Sequence, residues 1–148
     1  MISPETLRRY PYFADVTEDC LREVAMISEE VTIAGGTVLF REGDKADRLY
    51  ILVDGEVDIQ YTLGSGELRT VDTLVPGELI MWSALVEPFR STAVGTTRQD
   101  SKMIAISGDK LRELCEQSHD LGYRMLISLT KLLATRLEGA RVQLATVD

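Results

Sequence analysis

From Val31 onward the chain is a series of short apolar runs cut by glycine, and no other feature narrows its fold so far. Val31-Thr32-Ile33 precedes Gly35-Gly36, and Thr37-Val38-Leu39-Phe40 precedes Glu42-Gly43-Asp44. Leu49-Tyr50-Ile51-Leu52-Val53 stops at Asp54-Gly55, a dipeptide that favours a hairpin. Runs this short, bounded by turn-forming residues, read as strands. Val57, Ile59, Tyr61 and Leu63 alternate with Asp58, Gln60 and Thr62, a period of two that turns one face inward. Gly64-Ser65-Gly66 leads back into Leu68 to Leu74, and Pro76-Gly77 turns the chain again. Thr92 to Thr97 and Lys102 to Ile106 complete seven or eight strands. Strands without interposed helices predict an antiparallel sandwich or barrel rather than βαβ units.

Helical patterns flank this region. Ser3-Pro4-Glu5 and Thr17-Glu18-Asp19 are helix-start signals, and Leu21, Val24 and Ala25 follow on one face. Between them lies an aromatic knot, Tyr10-Pro11-Tyr12-Phe13. After the strands, Ser107 caps a segment carrying Leu111, Leu114 and Cys115. A longer helix is predicted from about Asp120 to the mid-140s. Its Leu126, Leu129, Leu133, Leu137, Ala140 and Leu144 form one stripe, widened by Leu121, Met125, Ile127 and Leu132. One stripe can lie on the chain's own strands, and the second predicts a homodimer through this C-terminal helix. The predicted layout is a single domain over 1–148: helical over 1–30, β-barrel over 31–106, helical over 107–148.

The composition excludes several classes. At 148 residues and 45% hydrophobic the chain is about one domain long and can bury a core. Sixteen basic against twenty-four acidic residues give −8, which disfavours nucleic acid and anionic membranes, whose binding rests on cationic side chains. No apolar run approaches the ~20 residues of a membrane span, and the first residues lack a secretion-signal pattern. The expected location is the cytoplasm. Cys20 and Cys115 make no disulfide framework or zinc cluster, and no metal or cofactor is expected. His119, the only histidine, stands beside Ser118 and Asp120. Sequence neighbours do not form a triad, and these three read as a helix start. There is no phosphate loop ending in Lys-Ser/Thr. The chain is expected not to be an enzyme.

Helices, an eight-stranded barrel with glycine corners, then a short and a long helix: this order resembles the cyclic nucleotide-binding domain, in its catabolite-activator branch. The resemblance is carried by Pro11-Tyr12-Phe13, by Gly36 to Asp44, by Leu49 to Val57, by Leu74-Val75-Pro76-Gly77-Glu78 and by Leu133-Ala134-Thr135-Arg136-Leu137. It implies an eight-stranded antiparallel jelly roll flanked by helices, α+β in class and mainly β. It also implies a ligand site in which backbone amides at a short helix start take a cyclic phosphate. In such a site an arginine followed by Ser/Thr pairs with the phosphate, and the acid of a Gly-Glu pair accepts from the ribose hydroxyl.

Two alignments carry these roles onto the chain. One takes Gly77-Glu78 as the Gly-Glu pair and Arg90-Ser91 as the Arg-Ser pair, twelve residues apart. The other, preferred because it needs no gap, takes Leu74 to Ile80 as a preceding turn. Met81-Trp82-Ser83-Ala84-Leu85 then becomes the helix start, Trp82 stands at the acid's place, Ser91 at the arginine's, and Thr92-Ala93 follow as Ser/Thr-Ala. Arg90 falls one residue out of phase and points away in extended backbone. Losing two charge-assisted hydrogen bonds at about 1.5–3 kcal/mol each lowers affinity on the order of 10²–10⁴-fold. Trp82 either plugs a pocket without a ligand or walls one re-tuned for another molecule. In the family the long helix also closes over the base, and the positions here are near Ala140 and Arg141.

The ligand-binding candidates are therefore Trp82, Ser83, Ala84, Arg90, Ser91 and Thr92. The preferred expectation is a non-enzymatic sensing or regulatory module whose pocket is degenerate or re-tuned away from cAMP and cGMP. An intact cyclic-nucleotide sensor using Glu78, Arg90 and Ser91 is one alternative, and a ligand-free dimerisation module another. The chain stops at Asp148 just after the long helix, with no helix-turn-helix, so DNA binding is not expected. Expected partners are a small molecule, a second copy and a protein the sequence leaves unidentified.

Overall fold

The computed structural model describes residues 2–147. Eight strands pair into two four-stranded antiparallel sheets. One sheet runs β1 (Ser28–Ile33), β8 (Ser101–Ser107), β3 (Arg48–Asp54), β6 (Leu79–Ile80). The other runs β2 (Val38–Phe40), β7 (Val94–Thr97), β4 (Val57–Thr62), β5 (Leu68–Leu74). Helices α1 (Pro4–Arg8) and α2 (Glu18–Met26) precede the strands, while α3 (Gly108–Gln117) and α4 (His119–Ala145) follow them. This is the jelly roll with flanking helices that the sequence predicts.

Only one of the two expected hairpins is a hairpin. Gly64-Ser65-Gly66 joins β4 to β5, and Leu63 N–H donates to Glu67 O at 2.8 Å. Asp54-Gly55 instead carries the chain from one sheet to the other, because β3 pairs with β6 and β8 while β4 pairs with β5 and β7. Gly55 makes that corner with φ +106°, packed so closely on β8 that a Cβ would lie 2.7 Å from the Ser101 Cα. A dipeptide reports a sharp reversal. Which strand accepts the next one is decided by the burial of Val57, fully enclosed in the core.

The two sheets differ in how completely they are covered. Met103, Ile104, Ala105 and Ile106 of β8 are all buried, as are Leu49, Ile51 and Leu52 of β3. Their inner faces meet the second sheet, and their outer faces lie under α3 on β3 and β8 and α2 on β1, so the period of two disappears. The second sheet keeps one face open. The turn around Ser3 also departs from expectation: Ser3 occupies the N-cap position of α1 but its side chain makes no capping bond. Thr17, Ser107 and Ser118 do cap α2, α3 and α4, accepting from the N–H groups of Cys20, Lys110 and Leu121. With Ser118 as cap and Asp120 in the first turn bonded to Arg124 Nε at 3.2 Å, His119 belongs to a helix start.

Helix α4 does not bury the stripe read from its leucines. The side chains that seat it are Leu121, Met125 and Leu129, all buried, followed by the half-buried Leu132 and Leu133. Leu126, Leu137 and Leu144 are 59%, 58% and 74% exposed. The core-facing side therefore draws on both sets, Leu129 and Leu133 from the stripe and Leu121, Met125 and Leu132 from its widening.

Cys20 and Cys115 are both free thiols. Burial, reinforced by the neighbouring Cys20, pushes the Cys115 thiol from 9.0 up to about 11, and burial raises Cys20 as well. A thiol holding its proton is a poor nucleophile, so native Cys115 should alkylate slowly at neutral pH and rapidly once urea is added. Between 9.0 and about 11 the folded chain keeps a proton that the unfolded chain has lost, so this contribution is complete below that window and vanishes as pH rises through it. The urea midpoint of the parent protein should fall more steeply across that window than that of Cys115→Ser. Parallel slopes would contradict the assignment.

Candidate functional site

The site begins at the turn after β5. Gly77 adopts φ +96° and donates its N–H to Leu52 O at 2.7 Å. Glu78 Oε2 accepts from Val75 N–H at 2.9 Å and closes the turn. Tyr12 O–H, from the aromatic knot, donates to Gly77 O at 3.1 Å, which ties the N-terminal segment to this corner. Burial, then the Glu78 charge, raises the Tyr12 phenol above its usual range.

After β6 the chain reverses at Met81, a non-glycine residue at φ +67°, and enters a 3-10 turn over Trp82–Leu85. Ala84 N–H donates to Met81 O at 3.1 Å, so the amides of Trp82 and Ser83 precede the turn's first internal bond. Arg112 of α3 holds the segment from behind. Its Nη1 donates to Ala84 O, its Nη2 pairs with Asp109, and its guanidinium lies 4.0 Å from the centre of the Phe89 ring.

A cavity of about 670 Å³ opens between this segment, the second sheet and α4, a volume suited to a small ligand. Its sheet wall explains why the inward residue Tyr61 is 43% exposed: it faces the cavity rather than packed core. The β4–β5 register slips between Ile59/Asp72 and Gln60/Thr70. Val71 is the extra residue of that bulge, and both it and Asp72 line the cavity.

Of the six candidates, Trp82, Ser83, Ser91 and Thr92 line the cavity. Ala84 and Arg90 do not. Ala84 is fully buried beneath the 3-10 turn, its carbonyl taken by Arg112. Arg90 bridges to Lys45 in extended pairing, and its Nη1 donates to Gly43 O at 3.0 Å on the outer side. One residue along the extended chain reverses side-chain direction, so Ser91 faces in where Arg90 faces out. Ser91 is itself satisfied, donating from Oγ to Ala93 O at 2.6 Å and accepting from Ala93 N–H at 3.2 Å. Of the alternative trio, Glu78 and Ser91 line the cavity, and the Arg90 side chain is bonded to Gly43 O instead.

Sequence reasoning missed Arg136, Asp72 and Gln143, which also line the cavity. A helical signal was available for two of them. Ala140 lines the cavity as expected, and stepping back four residues and forward three along the same face reaches Arg136 and Gln143. Arg136 Nη2 donates to Leu79 O at 3.4 Å and its Nε lies 3.9 Å from Asp72 Oδ2. Charged groups in the wall are thus Asp72, Glu78 and Arg136, two acids to one base. Among the described residues no cluster of His, Cys, Asp and Glu is placed to hold a metal ion.

The family model of the cyclic nucleotide-binding domain matches residues 30–118. The chain belongs to that family. A crystal structure of a candidate cyclic nucleotide-binding protein from Geobacter metallireducens is 35% identical, covers 93% of this chain and 99% of its own, and superposes with a TM-score of 0.83. The N-terminal domain of a transcriptional regulator from Streptomyces coelicolor is 31% identical over 88% of this chain and 93% of its own, with a TM-score of 0.70. Among curated relatives, a CRP-like cAMP-activated global transcriptional regulator from Mycobacterium tuberculosis is 24% identical over 141 residues. This cyclic nucleotide-binding domain spans 61% of that regulator's length. The family match contains every strand from β2 on and the Trp82–Thr92 segment, whereas the cavity wall contributed by α4 lies beyond it.

Proposed function

We propose that this cyclic nucleotide-binding domain, a single unit over 1–148, is a non-enzymatic sensing or regulatory module whose pocket is re-tuned away from cAMP and cGMP. The reading is carried by the guanidinium groups: Arg90 faces outward to Gly43 O, and Arg136, the only cationic side chain that the described residues bring to the cavity wall, is engaged by Asp72 and Leu79 O. A cyclic phosphate would enter without a free positive partner and beside two carboxylates, and an ionic ligand gains its affinity from such partners. The ligand contacts we assign are Trp82, Ser83, Ser91 and Thr92. Trp82, the only tryptophan, reports directly on occupancy. Millimolar cAMP should give no saturable change in its fluorescence and no rise in melting temperature. A saturable signal with a raised melting temperature would establish the second reading, an intact nucleotide sensor, which the cAMP-activated relative favours.

The exposed leucines of α4 support a homodimer. Leu126 and Leu144 remain 59% and 74% exposed within the protomer, and each fully buried leucine contributes about 1.5–3 kcal/mol. Leu126→Glu with Leu144→Glu should halve the mass seen by light scattering and leave the far-ultraviolet spectrum intact. A parent protein that is already monomeric would remove the dimer. The charge of −8 supports partners other than nucleic acid. No helix among the described residues is long and apolar enough to cross a membrane, and a cytoplasmic module acting through a protein partner fits both.

A further inference from the structure

Three aromatic rings, Phe40, Tyr61 and Trp82, line the cavity, together with the carboxylates of Asp72 and Glu78. The Phe40 ring reaches the wall because position 95 is glycine: a Cβ there would lie 2.3 Å from its Cζ. Aromatic faces attract cations through the ring quadrupole, most strongly where water is displaced. The acids are not equivalent. Asp72 has Arg136 at 3.9 Å, whereas Glu78 forms no ion pair among the described residues and uses only Oε2, on Val75 N–H. One negative charge is therefore left over in a wall whose other side chains, apart from the Asp72–Arg136 pair, are rings, aliphatic groups and the neutral polar groups of Ser83, Ser91, Thr92, Thr135 and Gln143.

We propose that the cavity takes an organic monocation of the substituted-ammonium class, with its alkyl groups on the rings and its charge balanced by Glu78. This rests on the reading that the pocket is re-tuned away from cyclic nucleotides. An anion meets the opposite conditions, since the one guanidinium in the wall is already engaged. The net charge of −8 adds a long-range field that concentrates cations at the opening.

Choline, its tert-butyl carbon isostere and cAMP distinguish the outcomes when each is titrated against Trp82 fluorescence and by calorimetry. Choline should bind saturably with a Kd on the order of 1 mM or below, and the neutral isostere should not. Glu78→Gln keeps an oxygen for Val75 N–H and should weaken choline roughly tenfold, and Tyr61→Leu, on an exposed strand position, should do the same. Equal binding of the isostere, or affinity unchanged in both variants, would overturn recognition by charge and rings. Silence towards both choline and cAMP overturns this inference and leaves the re-tuned pocket standing. Saturable binding of cAMP overturns the re-tuned pocket itself, and the inference with it.

Discussion

The double variant Trp82→Glu, Ser91→Arg should bind cAMP on the order of 10²–10⁴-fold more tightly than the parent protein. Each substitution restores one ionic hydrogen bond worth about 1.5–3 kcal/mol, the acid for the ribose hydroxyl and the guanidinium for the phosphate. Both positions line the cavity, so neither new side chain has to cross the core to reach a ligand. Arginine at 91 forfeits the two Ser91 Oγ bonds to Ala93 but gains the open volume in front of it. The charge balance of the wall is unchanged, one acid and one base having been added. Removing the indole also clears the place of the sugar. Calorimetry with cAMP on the parent, both single variants and the double variant checks this, because the two gains should approximately add. An unchanged affinity in the double variant would show that positions 82 and 91 do not hold the acid and cation roles, and would turn attention to Glu78.

Gly55→Ala should be the most damaging single-methyl change in the molecule. At φ +106° a side chain costs about 1–2 kcal/mol in backbone strain. The added Cβ would also lie 2.2 Å from Ser101 Oγ and 2.7 Å from Ser101 Cα. The hydroxyl can rotate away, but the Cα belongs to β8 and moves only with its strand, which adds about 1–3 kcal/mol of overpacking. Together these remove about 2–5 kcal/mol from a domain whose whole stability is about 5–15 kcal/mol, and should lower the melting temperature by roughly 10 °C or more. Gly64→Ala is the matched control, since nothing lies within 4 Å of its added Cβ and its φ is unstrained. Equal effects at the two positions would contradict the corner's role.

What the chain made legible was local. Glycine and apolar spacing located the long strands, although β1 begins at Ser28, inside the part read as helical, and the hydroxyls of Thr17 and Ser107 marked two helix starts, with Ser118 rather than Asp120 capping the third. The two-residue β6 was hidden at the head of the run Leu79 to Val86, where both of its side chains are buried, whereas the turn after it was expected only through the resemblance, as the helix start at Met81 to Leu85. Partner choice was not legible either. Asp54-Gly55 signals a reversal equally well for a hairpin and for a change of sheet, and only the enclosure of Val57 decides between them. At the site, Trp82, Ser83, Ser91 and Thr92 were reached through the resemblance and its ungapped alignment, and alternation entered only for Arg90, one residue out of phase. Ala84 lies in the 3-10 turn, is fully buried and does not line the cavity. Asp72 needed the bulge at Val71 to be known, and no pattern in β5 announces that slip.

Arg112 joins two tasks in one side chain. It grips the carbonyl of Ala84 and covers the ring of Phe89, yet its own backbone sits in α3, whose last turn runs into α4 at Ser118. Any inward or outward travel of the Trp82–Phe89 wall must therefore either tear this grip or drag the first C-terminal helix along.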